Sequence, residues 1–134
     1  MSEHGFVTGI GGVFFKCPDA EATRRWYSDV FGLKLDPSYG GASFFWRDHA
    51  DPDKEGRTEW APFPNDTEYF GPDGAEFMIN YTVRDLDGFL HSLESKGIER
   101  IGKIQEEPYG RFAWVRDPDG RRIELWEPPA DGPA

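Results

Sequence analysis

Two stretches of this sequence carry the same order of local signals, and that duplication leaves few folds open. They are FFKCPDAEATRRWYSDVFGLKL, residues 14–35, and NYTVRDLDGFLHSLESKGIERI, residues 80–101. In each, an apolar run meets an aspartate, a helical pattern follows, a glycine closes it, and short strands come next. The aspartate matters because its carboxylate can accept from the unpaired N–H groups of a helix's first turn. The glycine matters because it enters the left-handed region without steric cost. Asp19 and Gly32 thus bracket a helix over 19–31 with an aromatic face of Trp26, Tyr27, Val30 and Phe31. Asp85 and Gly97 bracket a second, with apolar positions Leu86, Phe89, Leu90 and Leu93.

Strand patterns surround these helices. In the first half, Thr8–Lys16, Leu33–Leu35, Ala42–Arg47 and Glu59–Phe63 read as strands; in the second, Phe77–Val83, Ile98–Gln105, Arg111–Arg116 and Arg121–Trp126 do. Asp117-Pro118-Asp119-Gly120 reads as a tight hairpin turn. The reading is an α+β chain of two βαβββ modules, about 7–63 and 76–127, in one domain spanning 7–127. Residues 48–74, rich in Asp, Pro and Gly, read as a long joining loop: a lid, a ligand-facing turn or a solvated linker. The tail from Pro128 to Ala134 is expected to fray.

Charge and composition remove several classes of function. Asp and Glu number 25 against 15 Lys and Arg, a formal charge of −10. Nucleic acid is therefore not an expected partner, since phosphate binding draws on clustered cations, and an anionic membrane surface is disfavoured for the same reason. No apolar run approaches the roughly 20 residues of a membrane span, and no secretory leader pattern is visible at Met1–His4. The single cysteine, Cys17, admits no internal disulfide and points to a cytoplasmic protein. It precedes a proline, lacks a visible histidine partner, and reads as a buried structural residue. Aromatic residues make up 16%, enough to supply a core and still wall a pocket or an interface.

Taken together, the βαβββ repeat, the segment 14–35 and the ending RDPDGRRIELWEP, residues 116–128, resemble the vicinal-oxygen-chelate superfamily, which includes glyoxalase I, bleomycin-resistance proteins and extradiol dioxygenases. The resemblance covers roughly residues 7–127. It implies a mixed sheet curled around a cavity with helices on the outer face, and a homodimer. Its metal-binding members carry one ligand in the opening strand of each half and one late in each half. Here the first slot aligns with Gly12, the second with Met78, the last with Glu124, and the remaining one lies near Glu59. Glycine offers no ligand and methionine suits hard metals poorly. His4, His49 and His91 all lie outside the slots. No cofactor is expected; Glu59 and Glu124 alone would make a weak divalent site.

Side-chain alternation names the remaining candidates. If Glu124 faces the cavity, so do Arg122 and Trp126, while Ile123 and Leu125 face the helices. The same parity turns Met78, Asn80 and Thr82 inward, together with Gly12, Phe14 and Lys16, and places Phe112 and Trp114 on the same side. Glu124 is a candidate catalytic base if desolvated, or a structural carboxylate paired with Lys16, Arg122 or another cation. Lys16, where glyoxalase I carries a cation, could hold a ligand carboxylate or balance Glu124. Trp46, Trp60, Trp114 and Trp126 are candidate walls, and Tyr109 a candidate hydrogen-bond donor to a ligand. Gly11-Gly12 reads either as room for a ligand or as a bulge. The expected function is binding of a small organic molecule in an aromatic-lined cavity through Phe14, Lys16, Trp46, Trp60, Asn80, Tyr109, Trp114, Arg122 and Trp126. The alternative is a lyase, isomerase or dioxygenase that uses Glu124 as base or as one ligand of a reduced metal site.

Overall fold

A computed structural model describes residues 5–72 and 74–129; His4 and the tail from residue 130 lie outside the described residues. The elements are β1 (Phe6–Cys17), α1 (Ala20–Phe31), β2 (Ala42–Arg47), β3 (Glu55–Pro64), β4 (Phe77–Arg84), α2 (Leu86–Ser95), β5 (Gln105–Glu107), β6 (Gly110–Arg116) and β7 (Arg122–Glu127). All seven strands join one mixed, open sheet in the order β2-β3-β1-β4-β7-β6-β5. Both halves therefore meet at its centre, where β1 pairs antiparallel with β4. Within each half the first and last strands pair in parallel, β1 with β3 and β4 with β7.

The helix boundaries follow the capping chemistry. Asp19 accepts from the Ala22 N–H at 3.0 Å, and Gly32 closes α1 at φ 73° with its N–H on the Ser28 carbonyl. Asp85 accepts from the Gly88 N–H at 3.1 Å to open α2, and Gly97 follows that helix at φ 86°. The Asp117–Gly120 turn forms as expected: Gly120, at φ 88°, donates to the Asp117 carbonyl, and the Asp117 carboxylate accepts from the N–H groups of Asp119 and Arg121.

One expected strand, Leu33–Leu35, is absent, and the one expected over Ile98–Gln105 is shortened and shifted to Gln105–Glu107. Leu33 closes the helix instead, its N–H reaching the Tyr27 carbonyl, and Asp36 then folds a turn with Gly40 and Gly41. Between Ile98 and Ile104, Ile98 caps α2 and Gly102 turns the chain at φ 70°, so that regular pairing begins only at Gln105. The loop expected over 48–74 is divided by β3, which starts at Glu55. Pro62 and Pro64 are tolerated there because β2 pairs only as far as Trp60; beyond it that side of β3 asks for no donor.

Both helices lie on one face of the sheet. Leu86, fully buried, joins Val83, Ala113, Val115 and Leu125 in the core, with Phe89, Leu90, Leu93 and Ile123 packed around them. Helix α1 contributes no fully buried residue; Tyr27 packs on Phe15 and Trp60, while Trp26, Val30 and Phe31 stay exposed. Among the described residues no helix is long and apolar enough to cross a membrane.

Candidate functional site

The opposite, concave face is organised by one row of residues in register. Ser43, Glu59, Gly12, Asn80, Glu124 and Trp114 are successive cross-strand partners over six strands. Gly12 and Asn80 face each other at the junction of the halves, so Glu59 and Glu124 are counterparts, one in each half. In the sheet Gly12 lies opposite Asn80, two residues beyond the Met78 slot that the resemblance gives. Met78 pairs with Phe14 and is 1% exposed.

The two carboxylates have different company. Glu59 is held by Arg57, Nε to Oε2 2.7 Å, and by the hydroxyls of Ser43 and Tyr39. Glu124, 2% exposed, contacts only neutral donors. Asn80 Nδ2 donates to Oε1 at 2.7 Å, Trp114 Nε1 donates to Oε2 at 3.1 Å, and the Tyr69 hydroxyl also donates to Oε2. Neither expected cation pairs with it. Lys16 instead lies over the Phe70 ring, and Arg122 donates to the Tyr69 carbonyl at 3.3 Å. Burial pushes the Glu124 carboxyl above its ordinary pKa; the three donors and the charge of Arg122 pull the other way without cancelling it. Burial and the adjacent carboxylate push the Tyr69 hydroxyl up as well.

Tyr69 and Phe70 come from the connection between β3 and β4. The segment turns at Asn65–Asp66 and again at Tyr69–Phe70, which brings both rings over the concave face. Tyr69 stacks on Phe63 at 5.7 Å with planes 2° apart and meets Trp114 edge-on; Phe70 is 2% exposed. Of the readings open for this connection, a solvated linker is the one the geometry rejects. Neither aromatic was marked by sequence periodicity. The available signal was an aromatic pair inside a polar, Pro/Gly-rich stretch, where nothing local demands one.

The other candidates divide. Phe14 packs edge-on against Phe63, and Trp126 stacks on Phe112 while its Nε1 donates to the Tyr109 carbonyl at 2.9 Å. Tyr109 thus contacts Trp126 through its backbone, and its side chain is largely exposed. Trp60 is not on the concave face. It packs against Phe15 and Tyr27 under α1, as alternation from Glu59 requires. Gly11-Gly12 is a bulge, marked by a register shift against β4, and the protein's own side chains occupy the space above it. A Cβ on Gly11 would lie 2.2 Å from Asn80 Oδ1, and one on Gly12 would lie 2.5 Å from the Phe14 ring. Cys17 is buried, with its thiol on the Phe63 carbonyl.

Two residues along the same strands, the pair Thr82–Trp126 reaches an open trough of about 860 Å³. Thr8, Trp46, Arg57 and Arg111 also line it, and carboxylates outnumber cations around it. Trp46 lies there against Gly9 and Gly56, its Nε1 donating to Thr58 at 2.9 Å. Pro128 and Pro129, expected to fray, line its end. Glu124 itself is closed off from this trough by its burial. No group of three or more His, Cys, Asp or Glu side chains is placed to hold a metal among the described residues.

Comparison with known proteins supports the same scaffold. The family profile of the Glyoxalase/Bleomycin resistance protein/Dioxygenase superfamily matches residues 9–125. Methylmalonyl-CoA epimerase from Mycobacterium tuberculosis superposes with a TM-score of 0.64 at 20% identity, over 98% of this chain and 95% of that one. A methylmalonyl-CoA epimerase in complex with methylmalonyl-CoA and NH4+ gives 0.68 at 18% identity, over 96% and 100%. A glyoxalase/bleomycin resistance protein/dioxygenase superfamily member from Vibrio splendidus 12B01 gives 0.55 at 13%, over 88% and 97%. No curated protein matches the sequence. At these identities the structural likeness speaks for the fold alone.

Proposed function

This chain belongs to the Glyoxalase/Bleomycin resistance protein/Dioxygenase superfamily, and from that premise we propose that its concave face binds a small, flat, uncharged organic molecule without a resident metal. The observation that carries this reading is Glu124: a buried carboxyl among aromatic walls, served by neutral donors and no cation. Such a group offers its oxygen to a polar ligand atom where one of its present donors gives way, while the surrounding rings supply apolar area. The donor set fits a metal poorly. Both oxygens of Glu124 are engaged and Glu59 is ion-paired with Arg57. An anionic ligand such as a coenzyme A ester would meet the excess of carboxylates around the trough.

The test joins metal analysis with ligand screening. Protein dialysed against a chelator is expected to hold well under one metal ion per chain and still to be thermally stabilised by flat neutral compounds that quench its tryptophans. A stoichiometric metal that disappears in Glu124→Gln would overturn the reading. The raised pKa of Glu124 favours a second reading, a lyase or isomerase in which that carboxyl is the general base. On that reading Glu124→Gln folds but loses turnover.

We further propose a cytoplasmic homodimer. The single cysteine suits a reducing compartment, and α1 presents Trp26, Val30 and Phe31 at 50%, 59% and 65% exposure, an apolar face of the kind that interfaces cover. Light scattering is expected to give a dimer for the wild type and a monomer for the Trp26→Glu/Phe31→Glu double variant. A wild type that stays monomeric on concentration would sink this.

A further inference from the structure

We infer that Tyr69 occupies the place of a ligand, so that a ring-bearing molecule with a neutral hydroxyl or amide donor enters the Glu124 site by displacing the Asn65–Pro72 segment. The inference rests on the binding reading above and specifies its ligand.

Of the three donors to Glu124, Asn80 and Trp114 stand on sheet strands, whereas Tyr69 is supplied by a connection. That connection is bonded in part to itself. Gly71 donates to the Glu68 carbonyl and the Tyr69 N–H to the Thr67 hydroxyl. To the sheet the segment is joined by the Thr67 N–H on Pro64 at the end of β3, the Tyr69 hydroxyl on Glu124, Arg122 on the Tyr69 carbonyl, and the packing of Phe70 on Phe63. Tyr69 is 38% exposed even though its hydroxyl reaches a carboxyl that is nearly sealed. The ring therefore lies along an opening, with only its polar tip inside.

The surroundings define what can replace it. Phe63 lies parallel to the Tyr69 ring and Trp114 meets it edge-on, which makes a slot one ring thick. Glu124 closes the inner end with an oxygen that needs a donor. A ring carrying one neutral O–H or N–H reproduces each of these contacts. A carboxylate or phosphate in place of that donor leaves the contact with Glu124 unmade, because it has no proton to give.

The experiment uses 4-methylphenol, the tyrosine side chain as a free molecule, on the full chain and on Tyr69→Phe. The variant keeps the ring and loses the hydroxyl that competes for Glu124. Its affinity for the probe is expected to rise about tenfold, the worth of one hydrogen bond to a charged or polar partner. Hydrogen exchange over residues 65–72 is expected to quicken when probe binds the wild type. An affinity that falls in Tyr69→Phe would make Tyr69 a ligand contact, and an unchanged one would make it irrelevant; either overturns the inference. Tyr69→Gly, checked for folding by circular dichroism, opens the slot outright. Failure of that variant to bind the probe also overturns the inference. If other flat compounds still quench Trp46 and Trp126 in the trough, the broader binding reading survives that failure.

Discussion

Glu124→Leu is expected to lower the stability of the fold by about 3 kcal/mol at pH 5, because it leaves three buried donors without an acceptor. Glu124→Gln is expected to behave in the opposite sense as pH rises. The glutamine amide can donate to Asn80 if that side chain turns its own amide around, which also gives the unpartnered Asn80 Oδ1 a donor. Its carbonyl then accepts from Tyr69 and Trp114. The sign follows from the raised pKa of Glu124. A carboxyl whose folded pKa exceeds its unfolded value contributes its full stability below the unfolded value and loses it as pH rises through the folded one. The wild type should therefore weaken relative to Glu124→Gln between pH 5 and pH 8, with the two converging in acid. Urea denaturation of all three proteins at both pH values checks this, and parallel profiles for wild type and Glu124→Gln would contradict it.

Gly110→Ala carries the second large effect. Gly110 opens β6 at φ 136°, and a Cβ there would stand 2.4 Å from Trp126 Nε1 and 2.6 Å from the Glu127 carbonyl oxygen. The first contact is with a large ring already bonded to Tyr109, and the second is with backbone, so neither yields cheaply. The expected cost is about 3 kcal/mol or more. Gly120→Ala is the control. Its φ is also positive, at 88°, but nothing lies within 4 Å of the added carbon. It should cost only the left-handed strain, about 1 kcal/mol. Equal losses in thermal denaturation would show that conformation, and not the clash with Trp126, governs Gly110.

Much of this scaffold can be read from local chemistry. The pairs Asp19–Gly32 and Asp85–Gly97 mark helices through caps that depend on neighbouring atoms alone, and the Asp117–Gly120 turn is equally local. Alternation along β7 places Glu124 opposite Ile123 and Leu125 once one of them is assigned to a face, and the core around α2 agrees. The same rule places Trp60 under α1, against its expectation as a pocket wall, because it adjoins Glu59. What alternation cannot supply is contact across sequence distance. Tyr69 meets a carboxyl 55 positions away, and Phe14 covers Gly12 by the direction its ring takes. The strand expected over 98–105 is shortened and shifted for a related reason. Its apolar residues suit a strand, but Gly102 spends a backbone position on a turn.

The register row also has a consequence for how the two halves can change. Glu59 and Glu124 are equivalent places in a duplicated frame, but one is ion-paired with Arg57 and the other is bonded only to neutral donors. The duplication thus separates two demands that a single module would have to reconcile. The amino-terminal half can be fixed by pairing its acid, while its counterpart keeps an acid in reserve. Substitutions at matched positions of the two halves should therefore diverge in effect.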